Sequence, residues 1–278
     1  MNILITGITG FFGRNFVKYL LEKNITCNII GTSLNLNKIN SFNQLFPTIK
    51  VYQLDLSSNN LEEILNSIIK NNNINYIVHS AAIKQLDICE KNPIMALRIN
   101  SISSNIISKV SKKNGIKNVI AISTNKVNNF NNIYGISKYL MEETILTNNF
   151  SIYKGVNFFW SDGSVLDIWF NKYKNNETLS LRNPNQIRYF NTIDQICKTI
   201  FNNLNSCTNI ILPESVYVIN LLDLFNAFTE YFGYNKYEIT EQYSFEPEID
   251  IIDKNITQIQ LSKQDIINLI DTHMKSKI

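Results

Sequence analysis

Three sets of residues have the types and spacing to do chemistry together. The first is Gly7, Gly10 and Gly13 in the run GITGFFG. Glycine lets a turn tighten and lets backbone approach a bulky anion, and a helix starting there offers free N–H groups and a positive dipole end. The spacing is GxxGxxG, and it falls between a first apolar strand and a first helical stretch. That context implies a site for a dinucleotide pyrophosphate along Gly7, Gly10, Phe11, Phe12 and Gly13. The second set is Tyr134 and Lys138, at i and i+4 and so on one face of a helix. A phenol with its ordinary pKa of about 10 is a poor base at neutral pH. A neighbouring ammonium and a cationic nicotinamide both favour phenolate and lower it. The third is Thr124, at the end of an apolar run shortly before Tyr134. A hydroxyl there can hydrogen-bond the substrate oxygen that the phenol deprotonates.

Such groups meet only if strand ends gather at one sheet edge. The first half of the chain alternates short apolar runs with helical patterns. Strands are predicted over 2–6, 26–31, 50–54, 76–79 and 119–123. Helices are predicted over 13–23 and 60–70, with Leu61, Ile64, Leu65 and Ile68 on one face, and in one or more segments over 93–114. The expected fold is α/β, a Rossmann-like doubly wound parallel sheet with right-handed crossovers, followed by a smaller C-terminal substrate-binding part. We place the NAD(P)-binding domain at 1–152 and the substrate-binding part at 153–278, the two sharing one sheet and one cleft. Beyond residue 150 a strand is expected over 151–157 and extended chain over 189–194, leading into a helix that ends near Leu204. Further helices are expected over 165–173, 221–232 and 262–274.

Composition narrows the classes of function. Of 278 residues, 44% are apolar and 18% charged, which is ordinary for a chain with a core and argues against disorder. The formal charge of +3 is too small to suggest nucleic acid, and no basic cluster adds to it. Cys27, Cys89, Cys197 and Cys207 form no CxxC pair and read as reduced thiols of a cytoplasmic protein, with no metal site. No apolar run is long enough to span a bilayer, and the start MNILITG has no basic n-region, so neither a membrane segment nor a signal peptide is expected. Asparagine is over-represented, with runs such as Asn71–Asn73, which reads as codon bias.

Taken in this order, the three signals resemble the extended short-chain dehydrogenase/reductase superfamily. The segments HSAAIKQLDICEKNP, AISTNKVNNFNNIYGISK and NFFWSDGSV are similar to the UDP-N-acetylglucosamine 4,6-dehydratases, including the 5-inverting enzymes of pseudaminic acid and capsule-sugar pathways. The resemblance covers about residues 2–200. It implies an NADP-dependent reaction on a UDP-sugar. Tyr134 would deprotonate the 4-hydroxyl while hydride leaves C4. A base would remove the C5 proton, water would leave C6 with help from an acid, and hydride would return to C6. The resemblance makes Thr124, Tyr134 and Lys138 catalytic. It also points to the pair after Ser-Thr, which the family has as Asp-Lys, the acid and base of the elimination. Here the pair is Asn125-Lys126. Lys126 can still act as base, but a carboxamide has no proton to give near neutral pH.

Other departures follow. The family's Arg-Tyr-Gly-Asn becomes Lys154-Gly-Val-Asn157, its Arg-Gly-Ser becomes Asp162-Gly-Ser164, and its Gly-Glu-Lys has no clear counterpart near Glu246-Pro-Glu248. Arg188 matches a family arginine near the sugar-nucleotide phosphates, so Lys84, Asn157 and Arg188 are the substrate-binding candidates. Lys84 follows the Ala81-Ala82 pair and Asn100 matches a helix asparagine. These four join Asp55 and Leu56 as cofactor candidates. Asp55 approaches the adenine or belongs to the start of the next helix, a role that Ser57 or Ser58 could equally fill. His79 reads as structural or as a site residue, and Cys89 as inert core. The end of strand two is Gly31-Thr32-Ser33, without the carboxylate that holds the ribose hydroxyls of NAD. Thr32, Ser33 and Lys38 can take a 2′-phosphate instead, which favours NADP over NAD. A homo-oligomer is expected. Two alternatives stand beside the dehydratase: an NADPH-dependent 4-keto-sugar nucleotide reductase or epimerase, which needs only Thr124, Tyr134 and Lys138, and a non-catalytic NADP-binding subunit.

Overall fold

The structure is a computed structural model that describes residues 1–128, 131–206, 208–240 and 251–276. Its elements in chain order begin with β1 (Asn2–Thr6), α1 (Phe11–Glu22), β2 (Asn28–Ser33), α2 (Leu36–Leu45), β3 (Lys50–Gln53), α3 (Leu61–Asn71) and β4 (Tyr76–His79). Helices α4 (Leu86–Lys91) and α5 (Pro93–Leu97) come next. A π turn over Arg98–Ile102 then leads into α6 (Ser103–Lys113) and β5 (Asn118–Thr124). A 3₁₀ turn over Asn125–Asn128 precedes α7 (Ile133–Thr147) and β6 (Ser151–Gly155). The rest comprises β7 (Asn157–Phe158), α8 (Val165–Lys174), β8 (Leu179–Arg182), β9 (Ile187–Asn191), α9 (Ile193–Asn202), β10 (Ile210–Ile211), β11 (Ser215–Asn220), α10 (Leu221–Phe232), β12 (Tyr237–Thr240), β13 (Thr257–Gln260) and α11 (Lys263–Ser276).

The chain packs as two compact units, 1–155 with 194–212, and 156–193 with 213–278. A single cut at 152/153 therefore does not describe it, because α9 and β10 return to the first unit. The first unit holds one seven-stranded sheet in the order β10-β6-β5-β4-β1-β2-β3, with every pair parallel. This is the expected doubly wound order, and its direction reverses between β1 and β4, where such sheets take their ligands. Leu4, Ile30, Ile77 and Val119 face a cluster built with Leu65 and Ile68 of α3, Ile107 and Val110 of α6, and Met141 and Ile145 of α7. Alternation sends Ile3 and Ile5, also fully buried, to the opposite face. Both faces are thus covered, which explains why the strands read as uninterrupted apolar runs.

The second unit does not share that sheet. It has its own four-stranded sheet, β13-β11-β9-β7, and a two-stranded β12-β8 ribbon. Its core is aromatic: Phe159, Trp160, Trp169, Phe170, Phe225 and Phe228 pack with Ile266 and Ile270 of α11. Trp169 meets Phe225 edge-on at 4.9 Å between ring centres. No helix among the described residues is long and apolar enough to cross a membrane. Cys207 and Glu246-Pro-Glu248 lie outside the described residues, and Cys27, Cys89 and Cys197 are free thiols.

Candidate active site

Gly7 follows β1 with φ +71°, a conformation that side chains disfavour. A Cβ added to it would stand 2.9 Å from Ala81 Cα, so the turn after β1 and the loop after β4 close on each other through bare backbone. Gly7 and Ile8 both donate to Thr32 O, at 2.8 and 3.1 Å, which ties this turn to β2. A Cβ on Gly13 would meet Ile8 Cα at 2.5 Å, so α1 lies hard against the turn. Gly10 opens α1 with no side-chain cap, and the first turn carries no acidic residue. Phe12 is buried and stacks on Phe16 at 5.4 Å, leaving its backbone as the part that can reach a ligand. An uncapped helix start with no carboxylate, reached by side-chain-free backbone, fits an anionic pyrophosphate.

The end of β2 adds a polar cluster. Thr9 and Ser33 share a 2.7 Å hydroxyl hydrogen bond, and Arg14 Nη1 donates to Thr9 O at 2.7 Å. Arg14 was not singled out from the sequence, although its place just after Gly13 is a legible signal. Thr32 is buried, and Lys38 is exposed on α2. Asp55 is exposed, and its Oδ1 accepts from Ser57 N and Oγ at 2.8 and 2.7 Å, so that oxygen closes its own turn. Neither Ser57 nor Ser58 caps α3; Asn60 precedes it. Leu56 packs on the core cluster. Ala82 and Lys84 are exposed on the loop after β4.

Asn100 sits in the π turn, a device that re-aims side chains. It accepts from Ile83 N at 2.8 Å and donates to Ile83 O at 2.9 Å and Ser137 Oγ at 2.9 Å. One amide therefore holds the loop after β4 against α7. His79 is 2% exposed and bridges Thr6 Oγ1 at 2.7 Å and Ser104 Oγ at 2.8 Å. Ser104 gives its own proton to Asn100 O, so Nε2 donates to Ser104 and Nδ1 accepts from Thr6. Burial holds this imidazole neutral, down to about 3, and the charge of Lys138 adds to the shift. This network is structural, one of the two readings of His79.

Thr124 ends β5, and its hydroxyl faces Asn125 Oδ1 at 3.4 Å and Lys126 N at 3.3 Å. Asn125 is 7% exposed, in the 3₁₀ turn that carries Lys126. Helix α7 begins with an Asn132 cap on Gly135 N and brings Tyr134, Lys138 and Glu142 to successive turns. Lys138 is 4% exposed; its ammonium donates to Ile122 O at 2.5 Å and contacts Met141 Sδ at 3.0 Å. Burial lowers it to about 8, opposed by Glu142. The Tyr134 hydroxyl has no hydrogen-bond partner among the described residues. Burial, then the Cys89 thiol, pushes this phenol up from its ordinary value. The Lys138 ammonium, bonded to Ile122 O and Met141 Sδ, does not offset that rise; the expected lowering joins it with a cationic nicotinamide. Cys89 is buried as expected, but it stands beside the phenol.

The substrate candidates of the second unit lie on adjacent strands. Asn157 pairs in register with Phe190 and donates to Tyr189 O at 3.0 Å. Arg188 is 5% exposed on β9 and donates to Ile187 O at 3.0 Å.

Comparison with known proteins gives the family and the fold. The family described as polysaccharide biosynthesis protein matches residues 3–252. The UDP-N-acetylglucosamine 4,6-dehydratase (inverting) of Campylobacter jejuni serotype O:2 is 30% identical over 123 residues, which is 44% of this chain and only 35% of that relative. Among solved structures, Pen from Bacillus thuringiensis superposes with a TM-score of 0.84 at 20% identity, covering 98% of both chains. The UDP-glucose 4-epimerase of Thermotoga maritima gives 0.82 at 17% identity over all of both chains. The dTDP-glucose 4,6-dehydratase of Streptomyces venezuelae, solved with NAD, gives 0.83 at 15% identity over 99% of this chain and 97% of that one. The chain therefore belongs to the polysaccharide biosynthesis protein family and has the extended short-chain dehydrogenase/reductase fold that its motifs resemble.

Proposed function

We propose that this chain is an NADP-dependent enzyme that modifies a nucleotide sugar, most like a UDP-N-acetylglucosamine 4,6-dehydratase. The observation that carries the reading is the way α7 is fastened to β5. Lys138 and Glu142 bond Ile122 and Ser123, the two residues before Thr124, so one rigid contact fixes the helix of the phenol and the strand end of the hydroxyl together. Gly7, Gly10 and Gly13 would hold the cofactor pyrophosphate, and Thr32 and Ser33, with Arg14 beside them, its 2′-phosphate. The bound nicotinamide supplies a hydride acceptor and a positive charge. Tyr134, ionised beside that charge, takes the proton of the 4-hydroxyl, and Thr124 orients the same oxygen. The 4-ketone acidifies C5–H, which Lys126 removes as its base. Asn157 and Arg188 would bind the UDP-sugar. A cytoplasmic homo-oligomer belongs to the same reading.

Asn125 favours a second reading. Its buried carboxamide stands where the family has the acid of the elimination, and it cannot protonate a leaving hydroxyl. Reduction or epimerisation at C4 needs no such proton, so a 4-keto-sugar nucleotide reductase or epimerase fits the remaining groups. Mass spectrometry of UDP-N-acetylglucosamine incubated with the protein and catalytic NADP separates these readings. Loss of one water marks the dehydratase. Turnover only of a 4-keto sugar with NADPH, or isomerisation without mass change, marks the second. No turnover of any of them, with NADPH bound, leaves a binding subunit and overturns both.

A further inference from the structure

Glu142 is a buried carboxylate for which the reaction above has no use. It is 5% exposed, lies one turn beyond Lys138 on α7, and accepts from Ser123 Oγ on Oε1 at 2.5 Å. Its Oε2 is 3.5 Å from Lys154 Nζ on β6. A carboxylate in so dry a place persists only where cations and donors face it. The geometry points to Glu142 as a positioning residue: clamped between Ser123 on β5 and Lys154 on β6, its carboxylate keeps the neighbouring Lys138 ammonium charged and seated against Ile122. This rests on the proposed role of Lys138 beside the cofactor.

The groups facing the pair can be named element by element. Strand β4 presents His79, held neutral by burial. Strand β5 presents the Ser123 hydroxyl and the Ile122 carbonyl. Strand β6 presents Lys154, and α7 itself presents Tyr134 a turn before Lys138. Helix α4 adds Cys89, which acts on Tyr134. Glu142 is thus the one carboxylate among the described residues acting on Lys138, opposing the burial that pulls the ammonium down to about 8. Burial pushes Glu142 itself up, while the Ser123 hydroxyl and the cations Lys154 and Lys138 hold it down.

The test is NADPH affinity, followed by fluorescence from pH 6 to 10 for the wild type and two variants. Glu142→Gln keeps the shape and the Ser123 bond but removes the charge. Its alkaline loss of affinity should begin at least one pH unit lower than in the wild type, with affinity at pH 6 within about twofold. Lys154→Met frees the carboxylate from its competing cation, so its alkaline limb should move the opposite way. A purely structural role would lower affinity by the same factor at every pH and give no opposite shifts, and that result would overturn the assignment. Equal alkaline limbs in all three proteins would do so as well. Failure of the folded wild type to bind NADPH at any pH would instead refute the dinucleotide reading, and this proposal with it.

Discussion

Asn125→Asp changes one buried atom type and tests the proposed reading at the position where the resemblance implies an acid. The side chain is 7% exposed, and Oδ1 lies 3.4 Å from the Thr124 hydroxyl, so a carboxyl of the same shape fits with a donor already facing it. An ordinary aspartic acid, with pKa about 3.9, is protonated in only about one molecule in a thousand at pH 7. Burial disfavours the ionised form, and a rise of about two units would bring that to about one in ten. A positioned general acid contributes about 10²- to 10⁴-fold. Weighted by that protonated fraction, the variant should dehydrate UDP-N-acetylglucosamine about 10- to 10³-fold faster than the wild type at pH 7. The rate should climb further as pH falls toward 6, since the acid works only when protonated. Mass spectrometry of the product, with binding of sugar and NADP measured separately, reads the result. A wild type that already dehydrates at the variant's rate would refute the reasoning. So would a variant that binds both ligands and gains nothing, and the reductase or epimerase would then be the better reading.

Tyr134→Phe should abolish turnover and leave NADPH affinity within about threefold, because it removes only an oxygen that has no hydrogen-bond partner among the described residues; kinetics and fluorescence titration check the two halves, and near-normal turnover would remove Tyr134 from the chemistry. Arg188→Ala should weaken UDP binding by about 1.5–3 kcal/mol, the range for hydrogen bonds to charged groups, and calorimetry that finds UDP affinity unchanged would put this arginine elsewhere. His79 titrates near 6.5 when unfolded and near 3 when folded, so its contribution to stability is complete above pH 6.5 and is lost at about 1.4 kcal/mol per pH unit as pH falls from there toward 3. Denaturant midpoints of His79→Asn should fall less steeply over that window than those of the wild type, and equal slopes would count against a buried neutral imidazole.

Much of the fold was legible where its signals are local. The 2–6 and 76–79 strands appear with the bounds read from the apolar runs, and the 221–232 helix likewise, since period and caps act within a few residues. Helix α1 starts at Phe11, two residues before the predicted bound, because Gly10 is its cap. Helix α2 was missed: its polar, asparagine-rich sequence buries only Ile39 and Phe42, too few to show a period. Strands β8, β12 and β13 were missed because short edge segments owe their shape to the neighbours they pair with, and β11, which pairs on both sides with β13 and β9, was missed as well. Among the described residues, five of the six non-glycine positions with positive φ are asparagines, among them Asn24 and Asn73 after helix ends, so some of the apparent composition bias serves as turn chemistry.

The sequence by itself determined the glycine turn, the strand end bearing Thr124, the Tyr134–Lys138 face and the carboxamide of Asn125 directly after Thr124. Each of these is a matter of residue type and of spacing within one element or one junction. Only the tertiary structure decided that Asn100 joins Ile83 to Ser137, that His79 is sealed between Thr6 and Ser104, and that Ser123 and Lys154 converge on Glu142. These partners stand on different strands and helices, and which of them become neighbours is set by the order of strands in the sheet. That order arises from burying apolar faces over the whole unit, a collective outcome that no local window contains.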